Sequence, residues 1–271
     1  MTDNLLPPIG LGCARIGSFN NPATPAQSRA LIAAALDAGI RIFDTSNVYG
    51  QGDSERTLGA VLRGRRGDAF VVTKVGKKFS TKMRLLQPFK PLIRPLIAAR
   101  GLSAAVSQQR TANIGQDFDA AVIERNLDAS LRRLRTDYVD GYLLHSPNAA
   151  TAADPAVAAE LARLKAAGKI RHFGVSVDTI DVLEAALAMP GLGILQLPWD
   201  VIGQARSQGI AAQIKARGII VHAREIIVMQ RGIDPLEAVR NAIADDMVDA
   251  ALIGTTSIAH LRAIALPLLQ G

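Results

Sequence analysis

Short, nearly continuous apolar runs alternate along most of the chain with longer stretches of helical periodicity. The runs lie at 9–13 (IGLGC), 41–45 (RIFDT), 70–75 (FVVTKV), 139–144 (VDGYLL), 170–176 (IRHFGVS), 193–197 (GILQL), 219–223 (IIVHA) and 250–254 (AALIG). Their length and composition predict strands buried on both faces, as in a parallel sheet covered by helices. Helical patterns occupy 26–38, 54–63, 117–134, 156–167, 179–188, 206–217, 235–245 and 258–266. Thr24-Pro25-Ala26-Gln27 and Asp234-Pro235-Leu236-Glu237 each provide a capping oxygen, a proline at the first helical position and a Gln or Glu three residues on. Gly39, Gly168 and Gly218 stand where helices should stop, because a left-handed residue costs little there.

Eight strand–helix units in about 260 residues predict a single-domain α/β fold, the (β/α)8 TIM barrel, over 1–271. An open doubly wound sheet is the competing architecture, but no G-x-G-x-x-G follows the first strand, and Gly10-Leu11-Gly12 is too short to serve. One segment, 76–116, falls outside the alternation and contains Pro88, Pro91, Pro95 and Gly101. It follows the third strand, so in a barrel it would project from the carboxyl face, where barrel active sites lie.

Composition narrows the class. With 271 residues, 49% of them hydrophobic, the chain has material for a large core. The one cysteine, Cys13, excludes a disulfide framework and a cysteine-built metal centre, and no metal is expected. The start, MTDNLLPPIG, has no signal-peptide pattern, and no run of about 18 apolar residues occurs, so a cytoplasmic location without a transmembrane segment is expected. The formal charge of +7 raises the question of nucleic acid. It is local: 76–116 holds eight basic residues and no Asp or Glu, which leaves 23 basic and 24 acidic residues elsewhere. Phe79 and Phe89 are the aromatics there, too few for a base-stacking platform, and a nucleic-acid partner is not expected. The segment reads as a leucine-bearing lid, as a basic rim for a phosphate or carboxylate, or as a membrane or partner contact.

Chemistry is concentrated at strand ends. Asp44 closes the second run, Lys74 lies near the end of the third, His145 closes the fourth, and Tyr49 follows Asp44 by five residues. Singly, Asp44 reads as a turn or cap residue, Lys74 as a snorkelling surface cation, and His145 as a hydrogen-bonded structural residue. Together they read differently. A lysine at a barrel mouth needs an anion, which Asp44 on the neighbouring strand can supply. A cation beside the Tyr49 phenol should lower its pKa, and His145 can orient a substrate oxygen, so the group makes a proton donor for a carbonyl.

The segments Phe43-Asp44-Thr45-Ser46-Asn47-Val48-Tyr49-Gly50, Val72-Thr73-Lys74 and Leu143-Leu144-His145-Ser146-Pro147 resemble the tetrad motifs of the aldo-keto reductases. Ser130-Leu131-Arg132-Arg133-Leu134, Asp137-Tyr138-Val139-Asp140 and Gly168-Lys169-Ile170-Arg171-His172-Phe173-Gly174-Val175-Ser176 match as well. The resemblance covers nearly the whole chain except 76–116 and the stretch after the seventh strand. It implies reversible NAD(P)H-dependent reduction of an aldehyde or ketone, with NADPH the expected cofactor and NADH possible. Tyr49 would donate the proton, Lys74 would tune it, Asp44 would hold Lys74, and His145 would orient the carbonyl.

The resemblance also implies cofactor contacts. Ser176 and Gln196 match two of the family's three carboxamide ligands, while Val177 stands where its Asn is usual. Arg224 stands at the end of the seventh strand, where the family stacks an aromatic on the nicotinamide; it either stacks there or pairs with Glu225. Gly254, Thr255, Thr256 and His260 look like the adenosine-phosphate segment, less cationic than usual, with Arg262 nearby. Val48 and Trp199 are candidates for the substrate pocket. The end at Gly271 leaves no long C-terminal loop, which implies an open site. A Lys74 Schiff-base aldolase and a nicotinamide-binding redox-sensing regulator are the alternative functions. The substrate and oligomeric state stay open at this level.

Overall fold

The computed structural model describes residues 7–18, 21, 23–79 and 114–269. In chain order the strands are β1 (Ile9–Gly12), β2 (Ile42–Asp44), β3 (Phe70–Val75), β4 (Lys77–Phe79), β5 (Ile114–Gln116), β6 (Val139–His145), β7 (Ile170–Ser176), β8 (Ile194–Pro198), β9 (Ile220–Arg224) and β10 (Ala250–Ile253). The helices are α1 (Pro25–Asp37), α2 (Asp53–Val61), α3 (Ala120–Leu134), α4 (Ala149–Ala152), α5 (Pro155–Ala166), α6 (Ile180–Leu187), α7 (Trp199–Ser207), α8 (Ile210–Ala216), α9 (Ile226–Met229), α10 (Pro235–Ile243) and α11 (Ile258–Leu269). Eight strands close a parallel barrel in the order β1-β10-β9-β8-β7-β6-β3-β2. All eight strands expected from the apolar runs are present, with ends shifted by a residue.

Local chemistry sets the element ends. Thr24 and Gln27 form the reciprocal capping box, and the Asp234 carboxylate accepts from the amides of Leu236 and Glu237. Gly39, Gly168 and Gly218 are left-handed with φ of 94°, 74° and 62°. The helix expected over 206–217 is instead two. Polypeptide leaves β8 at Pro198 and turns at once into α7, and left-handed Gly209 (φ 74°) then separates it from α8. The basic segment begins and ends in a short antiparallel ribbon, β4 with β5, in which Lys77 faces Gln116. Its centre, 80–113, lies outside the described residues, and so does the expected lid.

Strand alternation sorts the core into two regions. Ile42, Ala250 and Leu252 pack together, as do Val72, Leu143 and Ile194, and Phe70 touches both groups. These side chains fill the barrel. The other face of each strand, including Leu11, Phe43, Val71, Leu144 and Val175, joins a much larger cluster under the helices. Continuing each inward row towards the carboxyl end leads from Ile42 to Asp44, from Val72 to Lys74, from Leu143 to His145, from Gly174 to Ser176, and from Ile194 to Gln196. The period of two that packs the barrel therefore also gathers these polar groups at one mouth.

Charged groups lock helices to the barrel wall. Glu55 of α2 is fully buried; Arg133 Nε of α3 lies 2.5 Å from one of its oxygens and the Thr73 hydroxyl donates to the other at 2.7 Å. Removing one partner of such a pair leaves a buried charge without compensation. Arg133→Met should therefore lower the unfolding free energy by about 3–5 kcal/mol, read as a lower urea midpoint at unchanged m-value.

Candidate active site

Asp44 and Lys74 meet because β2 and β3 pair with Asp44 opposite Val72, which puts Lys74 diagonally across on the same face. Both side chains are buried, and Lys74 Nζ donates to Asp44 Oδ1 at 2.6 Å. Its other two hydrogen bonds go to the Thr45 carbonyl at 3.1 Å and the Tyr49 hydroxyl at 3.1 Å. Three donors therefore find three acceptors. Burial works against the lysine's charge, but Asp44 and Tyr49 outweigh it and the net shift is upward, so Lys74 stays an ammonium.

Tyr49 reaches this position through a tight turn. Gly50, Gln51 and Gly52 are all left-handed, with φ of 57°, 60° and 86°. A side chain at Gly50 would sit 2.7 Å from the Ile16 carbonyl oxygen, so glycine is required beside the tyrosine. One expectation is corrected here. The phenol's pKa is raised, because burial outweighs the lowering effect of Lys74 and Asp44 adds to the rise. Tyr49 is thus a neutral O–H whose oxygen accepts from Lys74.

His145 stands edge-on to the Tyr49 ring, with centroids 5.8 Å apart and planes at 89°. Burial, together with the charges of Lys74, Lys77 and Arg224, holds its pKa well below the usual histidine range. Its Nδ1 lies 3.2 Å from the Ser46 hydroxyl. Ser46 is in turn 3.2 Å from Asn47 Oδ1, and the Asn47 amide donates to the Lys77 carbonyl and to Asn126 Oδ1. Ser46 has one hydrogen for two acceptors, Asn47 Oδ1 and His145 Nδ1; when it turns from Asn47 to Nδ1, Nε2 carries the imidazole's hydrogen and can offer it to a ligand oxygen.

A second polar chain joins the same centre. Ser176 donates to Gln196 Oε1 at 3.0 Å, and Gln196 Nε2 donates to Asp44 Oδ1 at 2.8 Å. These residues are buried, and Val177 beside them is fully buried. Arg224 follows on β9. Its guanidinium pairs with Asp178 and Glu225 and donates to the Val177 carbonyl, and Arg224 Nε is buried without a partner among the described residues. The pairing with Glu225 that the sequence left open is thus present, and Asp178 is added to it.

The remaining candidates line the rim. Val48 is buried and Trp199 half-buried against the core at the start of α7. Gly254, Thr256 and His260 are exposed and Thr255 is half-buried, between β10 and the first turn of α11. Ser46, Asn47, Lys77, Ser146 and Gln116 also belong to the neighbourhood. Sequence reading saw the first two only as motif members and counted Lys77 and Gln116 only within the basic segment, since the β4–β5 ribbon has no periodic signature.

The Aldo/keto reductase family profile matches residues 8–233. This chain belongs to the aldo/keto reductase family. D-threo-aldose 1-dehydrogenase of Pseudomonas sp is 31% identical over 201 residues, which is 71% of this chain and 56% of that protein. Pyridoxal 4-dehydrogenase of Microbacterium luteolum is 31% identical over 196 residues, 66% of this chain and 54% of that protein. The chain spans about half the length of such curated relatives. Among solved structures, an aldo-keto reductase from Pseudomonas aeruginosa superposes with a TM-score of 0.74 at 25% identity, covering 97% of this chain and 90% of its own. The profile stops before β10 and α11, yet β10 pairs with both β1 and β9 and closes the barrel.

Beneath Asp44, His222 is buried on β9 with Nδ1 unpartnered among the described residues, and burial lowers its pKa to about 4, partly offset by Asp44. The unfolded imidazole titrates near 6.5, so between pH 6.5 and 4 the unfolded chain binds the extra proton and stability falls as pH falls. From pH 7 to 5 this single group should remove about 2 kcal/mol. Urea unfolding at the two pH values should show a smaller pH-dependent loss in His222→Leu than in the parent protein.

Proposed function

We propose that this protein is an NAD(P)H-dependent oxidoreductase that reduces an aldehyde or ketone to an alcohol, reversibly, with Tyr49 as proton donor. The observation that carries this reading is the use of hydrogens at Lys74. All three of its N–H bonds are spent on Asp44, Thr45 and Tyr49, and the one to Tyr49 enters the phenolic oxygen. The tyrosine's own hydrogen is left to point elsewhere, next to the His145 ring. A phenol that accepts from an ammonium and is kept neutral by burial is a proton donor whose conjugate anion is stabilised as it forms.

The residues fit a nicotinamide cofactor. Ser176 and Gln196 offer a hydroxyl and an amide side by side at the ends of β7 and β8, suited to a carboxamide, and the Arg224 Nε has a bond still to make. Gly254, Thr255, Thr256 and His260 surround the amino end of α11, where backbone N–H groups favour a phosphate. When bound, the reduced nicotinamide supplies the hydride. Around it, Lys74 holds the phenol, Asp44 holds Lys74, and His145 positions the carbonyl oxygen. A similar Klebsiella pneumoniae aldo-keto reductase has been solved with NADP and acetate, and a 25%-identical relative from Schizosaccharomyces pombe bears NADP(+) in its name. Both favour NADPH.

The Schiff-base reading of Lys74 is opposed by its geometry, since an amine that attacks a carbonyl must be unprotonated and unengaged. A redox sensor without turnover would not require the donor arrangement at Tyr49. The site is proposed to act in the cytoplasm; among the described residues no helix is long and apolar enough to cross a membrane.

Tyr49→Phe keeps the ring and removes the proton. It should lower kcat/KM for carbonyl reduction by about 10²–10⁴-fold while the NADPH dissociation constant, read by Trp199 fluorescence, changes little. Retention of near-parental turnover across a panel of aldehydes and ketones would refute the mechanism.

A further inference from the structure

Two neighbouring lysines of β4 have different surroundings. Lys78 points outward and pairs with Asp117 at 2.8 Å. Strand alternation turns Lys77 the other way, where its Nζ donates to the Ser146 hydroxyl at 2.9 Å. Ser146 directly follows His145. The ribbon holds it twice, through Lys77 on its hydroxyl and through Gln116 Nε2 on its carbonyl at 2.6 Å, and it adopts a left-handed φ of 53°. Lys77's own carbonyl accepts from Asn47, which belongs to the loop between Asp44 and Tyr49. The lysine is therefore fixed beside His145 at the mouth, where the Ser146 N–H donates to the Ser176 carbonyl of the adjacent strand β7 at 3.0 Å.

Three cations gather here. Lys74 has Asp44 and Arg224 has Asp178 and Glu225. Lys77 is half-buried, and among the described residues no carboxylate lies within ion-pair distance of it. Asp178 acts on it only through space and is engaged by Arg224, while burial, Arg224 and Lys74 weaken its charged form. Among the described residues this half-buried ammonium has a single neutral partner, which leaves two N–H donors to satisfy. A carboxylate arriving with the substrate would satisfy them through charge-assisted bonds.

We propose that Lys77, with the Ser146 hydroxyl beside it, is an anion seat that selects carbonyl substrates carrying a carboxylate. This rests on the reductase reading for the carbonyl itself, since the seat lies next to His145, and NADPH affinity is measured beside turnover because Ser176 and Arg224 are near. It makes the net charge of the substrate, and not only its shape, a determinant of kcat/KM.

The test compares 4-carboxybenzaldehyde with benzaldehyde in the NADPH-loaded enzyme, by turnover, and in the NADP⁺-loaded enzyme, by calorimetric binding. The parental protein should favour the carboxylated aldehyde by about tenfold or more, a preference that shrinks as salt is raised. Lys77→Met should abolish that preference and Lys77→Arg should keep most of it, because the guanidinium also binds carboxylates. An unchanged ratio in Lys77→Met, or a loss seen as weaker NADPH binding with the ratio intact, overturns the proposal. Calorimetric preference for the carboxylated aldehyde without turnover of either would sustain the seat and count against the reductase reading, so the two fail separately.

Discussion

The structure depends on one buried ion pair, Lys74 with Asp44. Taking an ammonium and a carboxylate out of water costs several kcal/mol for each ion, and mutual attraction repays this only where every remaining donor and lone pair is occupied. Here the lysine's third donor goes to Tyr49, and Gln196 adds a second donor to the same Asp44 oxygen. Satisfying the pair thus recruits the phenol from the loop after β2 and the amide from β8. Parallel register does the rest, since Asp44 lies opposite Val72 and both charged groups continue inward rows that are apolar below. A slip of one residue in β3 would turn Lys74 into the helix layer and leave the buried Asp44 without its cation.

That pair also determines the charge states around it. Lys74 remains charged, and its field, with those of Lys77 and Arg224, keeps the buried His145 neutral. Tyr49 is neutral as well, because desolvation of a phenolate exceeds what one ammonium returns. The mouth therefore presents two uncharged hydrogen-bonding groups backed by a cation. A carbonyl oxygen gains negative character during reduction, and fixed donors in a low-dielectric site stabilise that charge without reorganising.

Much of this was legible in the residues, and the reason is periodicity. Buried parallel strands are apolar on both faces, so all eight stand out, and a polar residue at such a strand's carboxyl end marks the mouth. Asp44, Lys74 and His145 were visible on those grounds, and Tyr49 only through its company and its resemblance. What was illegible depends on balance or on non-periodic backbone. The sign of the Tyr49 shift is a contest between burial and Coulomb attraction that no spacing reveals. The β4–β5 ribbon pairs two three-residue strands that are far apart in sequence and too short to show a period, so Lys77 looked like one charge among eight. The break between α7 and α8 turns on Gly209, one glycine inside an otherwise continuous helical pattern.

The departures from the family pattern in the cofactor half have a common physical consequence. With Val177 buried where the family resemblance leads one to expect an asparagine, the proposed carboxamide seat would be left to Ser176 and Gln196, which bond to each other and, through Gln196, to Asp44. A ligand amide that engages Gln196 Oε1 therefore polarises an amide already donating to the carboxylate that holds Lys74. Hydrogen-bond chains of this kind strengthen cooperatively, so a carboxamide bound there as proposed would act through Asp44 on the ammonium and on the Tyr49 oxygen. Arg224 reinforces the same edge by tying the Val177 carbonyl on β7 to its own strand β9. In the proposed reading, the loss of one direct ligand would concentrate carboxamide recognition on the two groups linked through Asp44 and Lys74 to Tyr49.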